Sequence, residues 1–408
     1  MKKAVSLSLL LPIGLFVALE FFVGPTNTRI PLELKSEALP GGDGSVSIKP
    51  FASFLLPAAN LPEESKPNFH AGKALAHQPW IKSPTTTDAR DGLGPVYNAR
   101  TCLACHTNGG RGLMPDSPDT MVISGVLRLS LPGEDIVLGA VPEPFYGTQL
   151  QSQSISLVHQ LRNAEGIEST ESIGTINPEG YIYVSWSSKD FVYPDGTSQS
   201  LRTPHIQVRN LGYGDFQANT RTSLRNAPPI HGAGLLQLIP QSDIDALADP
   251  EDQDGDGVSG RVNQVWDFSA GKSAPGRFGL KANSANIRDQ VAAAFNADVG
   301  IVSSVFPDQP CSTNQPECLH AIHGDDSNGH EISDPLLELV IDFTRSLAVP
   351  ERRKPNHPMV KLGRGHFYRA GCASCHYPSF RTATDERFPH LSDQTIWPYT
   401  DLLVHDMG

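Results

Sequence analysis

Two short motifs carry the clearest chemistry in this sequence of 408 residues. Each has two cysteines, two residues between them, and a histidine directly after the second: Cys102, Cys105 and His106, then Cys372, Cys375 and His376. This pattern is typical of c-type haem attachment, because two thiols one helical turn apart can reach both vinyl groups of a porphyrin while the histidine binds the iron. The sequence therefore predicts two covalently bound c-type haems, with His106 and His376 as proximal iron ligands.

Two other chemistries use paired cysteines. A redox-active dithiol requires one Cys-x-x-Cys at a strand-to-helix junction and needs no histidine after it. A zinc site could take both pairs as four thiolate ligands, but residues 102 and 372 are far apart in the chain and a histidine follows both pairs. We therefore favour haem over zinc and over a dithiol.

The remaining cysteines, Cys311 and Cys318, bracket a short loop. In an oxidising compartment such a pair predicts a local disulfide. A metal cluster that includes His320 and His323 is a weaker alternative, and a redox-active disulfide is weaker still.

An acidic loop predicts a second kind of metal site. Carboxylates stand at loop positions 1, 3 and 5, which are Asp252, Asp254 and Asp256, and Gly257 follows at position 6. This alternation brings several hard oxygen ligands to a sharp turn, as in the first half of an EF-hand loop. Asn263 stands where a bidentate glutamate would close the site, so Asp249 or Glu251 would have to join. The loop predicts calcium, and the competing interpretation is a solvated acidic turn.

The N-terminus resembles an export signal. Lys2 and Lys3 precede an apolar stretch over residues 4–19, which is the charge and hydrophobicity pattern of a signal peptide. We predict a signal peptide or an uncleaved N-terminal anchor at 1–24 and a linker rich in Pro, Gly and Ser at 25–64. The body is then periplasmic, or extracytoplasmic and tethered to the membrane through that anchor alone.

Composition excludes several classes of protein. A hydrophobic content of 39% supports a sizeable core and excludes wholesale disorder. The net charge of −12 makes nucleic acid a poor partner, because phosphate binding needs an excess of Lys and Arg. The 36 glycines and 34 prolines favour a loop-rich protein with short elements.

Hydrophobic periodicity locates the main elements. Residues 120–215 alternate in a way that predicts β-strands, with a turn at Pro194-Asp195-Gly196. Residues 283–297 and 333–349 have helical spacing, and Ser333 is the expected N-cap of the second helix.

These elements predict a mainly α fold with a β-containing insertion. Two cytochrome c-like haem regions are expected at 65–120 and 331–408. A loop-rich, partly β intervening region that carries the calcium-like loop is expected at 121–330. Its length mildly favours an enzyme, since electron relay alone needs no such mass.

Several longer stretches resemble a known family. They are Gly92–Asn98, Gly109–Gly112, 227–236, 252–263, 276–282, 294–301 and 398–408. Together they are similar to bacterial di-haem oxidoreductases described as peroxidases or thiol oxidoreductases, which are distant relatives of di-haem cytochrome c peroxidases. The similarity covers about residues 65–408. The chain departs from the family at Leu280, where relatives have Trp, and at Gly408, beyond which relatives continue, so we expect a C-terminally truncated second haem region.

The resemblance implies an exported oxidoreductase of the peroxidase type. Hydrogen peroxide would be reduced at one haem, and electrons would enter through the other from a small donor protein, either a cytochrome or a cupredoxin. Two alternatives stay open: a di-haem cytochrome that only transfers electrons, and a thiol oxidase that takes electrons from a sulfur compound.

Further ligands are candidates rather than assignments. For the sixth ligand of the second iron they are Met407 and His405. For the first iron they are His231, Met114, His70 and His77. The cations that could contact haem propionates are Arg111, Arg277 and Lys281. The sequence does not identify a distal acid or base.

Overall fold

A computed structural model describes residues 30–49, 54–83, 85–86, 89–162, 168–321 and 324–407. The side chains of 156–175 are not described. The predicted signal peptide or anchor at 1–24, His323 and Gly408 lie outside the described residues. Helix accounts for 24% and strand for 19% of the structure, and the mainly α fold with two cytochrome c-like domains stays a prediction. Within the described ranges, no helix is both long and apolar enough to cross a membrane.

The helices of the described residues are short. They are α1 (Lys66–His77), α2 (Cys102–Cys105), α3 (Ala233–Gln237), α4 (Gln241–Asp245), α5 (Ile287–Ala294), α6 (Pro316–Leu319), α7 (Asp334–Arg345) and α8 (Pro358–Arg369). The main core forms where α1, α5 and α7 pack together. Phe69 of α1 and Phe343 of α7 are both 1% exposed, and their ring centroids lie 5.3 Å apart.

The predicted helix over 333–349 is confirmed as α7. Ser333 is its N-cap residue and Pro335 lies in the first turn, where a missing N–H costs no helical hydrogen bond. Leu337 and Ile341 are fully buried. The predicted helix over 283–297 is confirmed in part, since α5 begins after the N-cap Asn286 and changes to a single π-turn at Phe295–Val299.

The strands pair in two-stranded sheets. They are β1 (Val96–Tyr97), β2 (Gly125–Ser130), β3 (Gln153–Ser154), β4 (Ser156–Arg162), β5 (Glu168–Thr175), β6 (Tyr181–Val192), β7 (Ser198–Arg209), β8 (Arg221–Asn226), β9 (Gln264–Asp267), β10 (Lys272–Pro275), β11 (Phe380–Arg381) and β12 (Thr395–Ile396). β6 and β7 form a long antiparallel hairpin, and Gly196 supplies the positive φ of 85° in its turn. The predicted β character of 120–215 is therefore confirmed.

The antiparallel ladder of β2 and β8 has two different faces. Leu127 and Leu129 are 0% and 2% exposed and pack in a second core with Leu150, Ile182 and Val184. Because successive side chains in a strand point to opposite faces, the residues between these leucines face away from that core. This other face proves important for the first motif.

The described part of the predicted linker at 25–64 is packed against the body, unlike an open tether. Leu55 and Leu61 belong to the main core. Glu37 is 2% exposed and forms salt bridges with Arg364 of α8 and with Arg352, at 2.6 and 3.0 Å. Burial of these leucines and the buried salt bridge of Glu37 together hold the described part of 25–64 against the rest of the chain. The composition of this segment did not predict this packing.

Candidate metal centres

The first Cys-Cys-His motif begins with the single turn of α2. The hydroxyl of Thr101 caps this turn by accepting a hydrogen bond from the backbone N–H of Leu103, at 3.0 Å. Cys102 and Cys105 therefore lie one turn apart, at the two ends of the helix. A short 3-10 turn at Thr107–Gly109 then reverses the chain, with Asn108 at φ 55°.

A backbone carbonyl orients the histidine of this motif. Nδ1 of His106 lies 2.6 Å from the oxygen of Pro228. Since a carbonyl only accepts hydrogen bonds, Nδ1 must carry the proton and donate it, which leaves the lone pair on Nε2. Burial lowers the pKa of His106, so the neutral form that a metal requires is favoured.

The segment that supplies this carbonyl is fixed to the loop after the motif. The side chain of Asn226 donates to Gly112 O at 2.7 Å, and the Gly112 N–H donates to Ala227 O at 2.9 Å. Gly112 has no space for a Cβ, which would meet Ser124 O at 2.5 Å. Gly112 and Asn226, which are 114 positions apart in the chain, are thus held together beside the histidine.

The thiols of the first motif are half-buried and difficult to ionise. Burial, together with the charge of Asp298, raises the pKa of Cys102 and of Cys105 to about 12 in each case. A redox-active dithiol needs a lowered thiol pKa, so this pair is unsuited to that chemistry.

A polar cluster, half of whose members are fully buried, lies beside the first motif, and the sequence did not indicate it. It consists of Asn98, Arg128, Gln149 and Asp298. The amide nitrogen of Gln149 donates to Oδ1 of Asp298 at 2.8 Å, and its oxygen accepts from Nη1 of Arg128 at 3.0 Å. The backbone oxygen of Asp298 accepts from the N–H groups of Asn98 and Ala99, both at 2.9 Å. Burial raises the pKa of Asp298.

The second motif follows α8 through Gly371, which adopts φ 74°. Nδ1 of His376 lies 3.0 Å from the oxygen of Tyr399, so the same argument leaves Nε2 of this histidine free to bind a metal. Tyr399 has φ +53°, an unusual conformation for a large side chain. The strain aims its carbonyl at His376, as expected at a functional site.

Aromatic side chains and an ion pair support the second motif. The ring of Phe367 on α8 lies 5.4 Å from that of Tyr399 and 6.3 Å from that of His376, measured between centroids. One turn before it, Arg364 binds Glu37 of the N-terminal segment. Cys372 is exposed, and burial raises the pKa of Cys375, with smaller contributions from Asp401 and Asp256.

The C-terminal candidates differ in their surroundings. The Asp401 N–H donates to Cys375 O at 3.2 Å, which brings this segment to the second motif. Nε2 of His405 lies 2.7 Å from Oδ2 of Asp401, and its Nδ1 is buried without a hydrogen-bond partner. A carboxylate on one ring nitrogen and a free second nitrogen are typical of a metal-ligating histidine. Met407 is 87% exposed, so His405 is the better-placed candidate.

The candidates for the first iron are placed as follows. His231 packs on Phe54 with ring centroids 5.4 Å apart, and Phe54 donates its N–H to Asn108 O after the first motif. Burial lowers the pKa of His231. Met114 packs against the second core, whereas both histidines of α1, His70 and His77, are exposed.

Of the cations expected near haem propionates, Arg277 is already engaged. Its Nη1 donates to three backbone carbonyls, those of Leu236, Gln237 and Ile239, at 2.7–3.0 Å. It therefore fixes the chain between α3 and α4, and its contact with a propionate stays a prediction. Arg111 and Lys281 are exposed.

The acidic loop brings three carboxylates together. Oxygens of Asp249, Asp252 and Asp254 all lie within 4.8 Å of one another, so Asp249 joins, one of the two carboxylates considered from sequence. Asp256 is not in this group, and Asn263 uses its amide to bind Lys281 O and Ala282 O, both at 3.1 Å. Calcium binding here stays a prediction.

Cys311 and Cys318 form a disulfide with a Cα–Cα distance of 5.9 Å. Its loop contains the fully buried Gln315, whose amide donates to Oε1 of Glu179 at 2.6 Å. The loop thereby attaches to the chain before β6. His320 donates through Nδ1 to Pro316 O at 2.6 Å, an ordinary structural role.

Each motif thus fits a haem group: paired thiols one turn apart, and a histidine whose Nδ1 is held by a carbonyl so that Nε2 can bind iron. The two sites define the class of a di-haem redox protein. The chain belongs to the family described as "Di-haem oxidoreductase, putative peroxidase", whose model matches residues 40–408. It matches no curated protein and no solved structure.

Proposed function

We propose that this protein is an exported di-haem c-type oxidoreductase of the peroxidase type, which reduces peroxide at one haem and receives electrons through the other. Family membership gives the oxidoreductase class and the two haems. The orientation of His106 and His376 by backbone carbonyls carries the proposal, because it prepares both histidines for the same iron-binding role.

The two sites suit different tasks. His106 is half-buried and lies beside the polar cluster, whereas His376 and Cys372 are exposed. Peroxide chemistry benefits from a site that excludes water, and electron entry from a donor protein needs an accessible haem edge. We therefore assign peroxide reduction to the first site and electron entry to the second.

The protein's own groups have definable tasks in this reaction. Haem iron, when bound, would supply the redox chemistry for cleavage of the O–O bond. Reduction of one peroxide to two waters consumes two electrons, which the donor protein would supply, and two protons. Asp298, whose pKa is raised by burial, is the proposed proton donor, and Gln149 holds its carboxyl in place.

The proposed donor is a small cytochrome or cupredoxin that meets the protein in the periplasm. The alternative function is a di-haem cytochrome in which both irons are six-coordinate. Such a protein would transfer electrons but would not turn over peroxide. A thiol oxidase would take electrons from a sulfur compound. Among the described cysteines outside the two haem motifs, Cys311 and Cys318 are already joined in a disulfide, which does not favour a dedicated reactive thiol.

Peroxide turnover tests the proposal. The exported protein, made in a host that attaches haem, should carry two haem adducts by mass, show one high-spin iron by EPR, and oxidise a reduced donor when peroxide is added. His106→Ala should abolish turnover, whereas His205→Ala, a control on the exposed hairpin, should not. Two low-spin irons without turnover would support electron transfer alone, and rapid haem reduction by thiols would support the oxidase.

A further inference from the structure

The outer face of the β2–β8 ladder carries two arginines. The register pairs Val126 with Arg225, and residues two apart in a strand share a face. Arg128 and Arg225 are therefore diagonal neighbours on the face opposite Leu127, at a typical separation of about 7–8 Å. Such a pair of like charges on a partly buried surface calls for an anion.

Neither guanidinium forms a direct salt bridge with a described side chain. Nη1 of Arg128 donates to the neutral amide oxygen of Gln149, and Nε of Arg225 is buried without a hydrogen-bond partner. Burial is the largest cause that lowers the pKa of Arg128, and the charge of Arg225 adds to it. Asp298 offsets part of the charge of Arg128, but burial is the sole resolved influence on the pKa of Arg225.

Arg128 and Arg225 are both half-buried, and cations that lose water without gaining a full countercharge are unfavourable. Because these two cations are neighbours and Nε of Arg225 has no hydrogen-bond partner, a bound anion would stabilise this part of the chain. Carboxylates suit this arrangement best, because the planar guanidinium offers parallel N–H donors to two carboxylate oxygens.

The position of the pair identifies the anion. Arg225 stands three residues before Pro228, whose carbonyl orients His106. Arg128 reaches Asp298 through Gln149, and the charge of Asp298 acts on the thiols of the first motif. The pair thus lies between the first motif and the second core. It is on β2 and β8, and the chain continues from the end of β8 to Pro228, which orients His106.

We propose that Arg128 and Arg225 bind the propionate carboxylates of the haem held by the first motif. The inference rests on the proposed di-haem function and adds to it the residues that fix this haem's orientation and charge. It adds Arg128 and Arg225 to the candidate propionate partners Arg111, Arg277 and Lys281. The second haem has no part in this interaction.

Redox titration of the holoprotein tests the assignment. Arg128→Gln and Arg225→Gln should each favour the ferric form of the first haem about tenfold, a decrease of about 59 mV in its midpoint potential, because each removes a positive charge that opposes oxidation. EPR-monitored titration separates the two irons, and the second should keep its potential. Arg221→Gln, an exposed position on the same strand, is the matched control and should change neither potential.

The pH dependence adds a signature that a merely structural role would not give. Propionates paired with arginine stay ionised, so they should add no pH dependence to the wild-type potential between about pH 5 and 8. In the double variant a propionate should titrate in this range, and the potential should fall as pH rises. Arg225→Lys keeps the charge without the paired donors and should give an intermediate shift even if the double variant fails to fold.

Unchanged potentials of the first haem in both folded single variants would overturn the propionate assignment and leave the proposed function intact. Equal shifts of both haems would overturn it as well, since they would indicate a general loss of charge. Absence of haem from the first motif of the wild-type protein would instead refute the proposed function, and this inference with it.

Discussion

The two Cys-Cys-His motifs have the same sequence pattern but different surroundings. In both, a backbone carbonyl accepts the Nδ1 proton of the histidine. The first histidine uses a carbonyl 122 residues away and lies beside the polar cluster, whereas the second uses one 23 residues away and is exposed. The motif therefore determines which residue binds the iron. Distant parts of the chain determine how accessible each site is to solvent and how polar its surroundings are.

Loss of either haem attachment site should have the largest effect on peroxide turnover. The two losses should also distinguish peroxide reduction at the first site from electron entry at the second. Cys102→Ala with Cys105→Ala should remove one of two haems and abolish the reaction with peroxide. Cys372→Ala with Cys375→Ala should also remove one haem, but the first site should still react with peroxide in a single turnover while donor-supported turnover stops. Intact-mass measurement and stopped-flow spectroscopy distinguish these results.

The control for this pair is Cys311→Ala with Cys318→Ala, which removes the disulfide and should leave both haems. A reversed pattern, in which only loss of the second site abolishes the peroxide reaction, would exchange the roles assigned to the two sites.

Asp298→Asn should reduce kcat/KM for peroxide by about 10²-fold, the lower range for loss of a proton-transfer group. The amide preserves the shape of the side chain but cannot donate the same proton. Asp289→Asn is a matched control, because Asp289 is also a buried acid but binds Ser269 and Phe268 instead. Equal rates in both variants would show that Asp298 only packs.

Two buried glutamates, Glu179 and Glu37, should respond to pH in opposite directions. Where Glu179 accepts from Gln315 of the disulfide loop, burial raises the pKa of Glu179 to about 8 from 4.5. The unfolded chain then loses this proton first, so the contribution of Glu179 to stability decreases by a few kcal/mol as pH rises from about 4.5 to 8. Glu179→Gln should flatten this part of the stability curve measured by denaturant titration.

Near the second site the sign is reversed. Burial alone would raise the pKa of Glu37, but the hydrogen bond and charge of Arg364 outweigh it and the net pKa is lowered. Its stabilisation is present above the unfolded pKa near 4.5 and is lost as pH falls below it. Glu37→Gln should cost about 3–5 kcal/mol at neutral pH, the usual effect of breaking a buried pair. Identical acid sensitivity of the variant and the wild-type protein would contradict this.

Calcium should have the smallest effect. If Asp249, Asp252 and Asp254 bind the ion, saturating calcium should raise the melting temperature by a few degrees, since ligand binding at 100 times Kd adds about 2.7 kcal/mol. Asp252→Asn should remove this increase, whereas Asp135→Asn, in an exposed turn with a similar backbone-binding carboxylate, should retain it. An unchanged melting temperature in calcium and in chelator would favour a solvated acidic turn.

Local patterns were sufficient to predict several elements. The serine at 333, the proline at 335 and the apolar spacing after them specify α7, and alternation with a Pro-Asp-Gly turn specifies the β6–β7 hairpin. The two motifs were visible for the same reason, since their chemistry resides in five consecutive residues.

The polar cluster was not predictable because its members come from separate parts of the chain. Arg128, Gln149 and Asp298 each look ordinary in sequence, and only the bridge between β2 and the following loop, together with the π-turn after α5, unites them. The packed N-terminal segment was missed for a similar reason, since the partner of Glu37 is 327 residues away.

The long separation between His106 and its supporting carbonyl has a consequence for biogenesis. A chain that emerges N-terminus first presents the thiols of the first motif well before the residues around Pro228 and Asp298 exist to enclose them. If haem is attached covalently as proposed, an assembly enzyme would have that interval to join the porphyrin to the still unfolded chain. Packing of the residues around Pro228 and Asp298 would then cover the thioether bonds of the first motif, whereas the second motif stays accessible to solvent after folding.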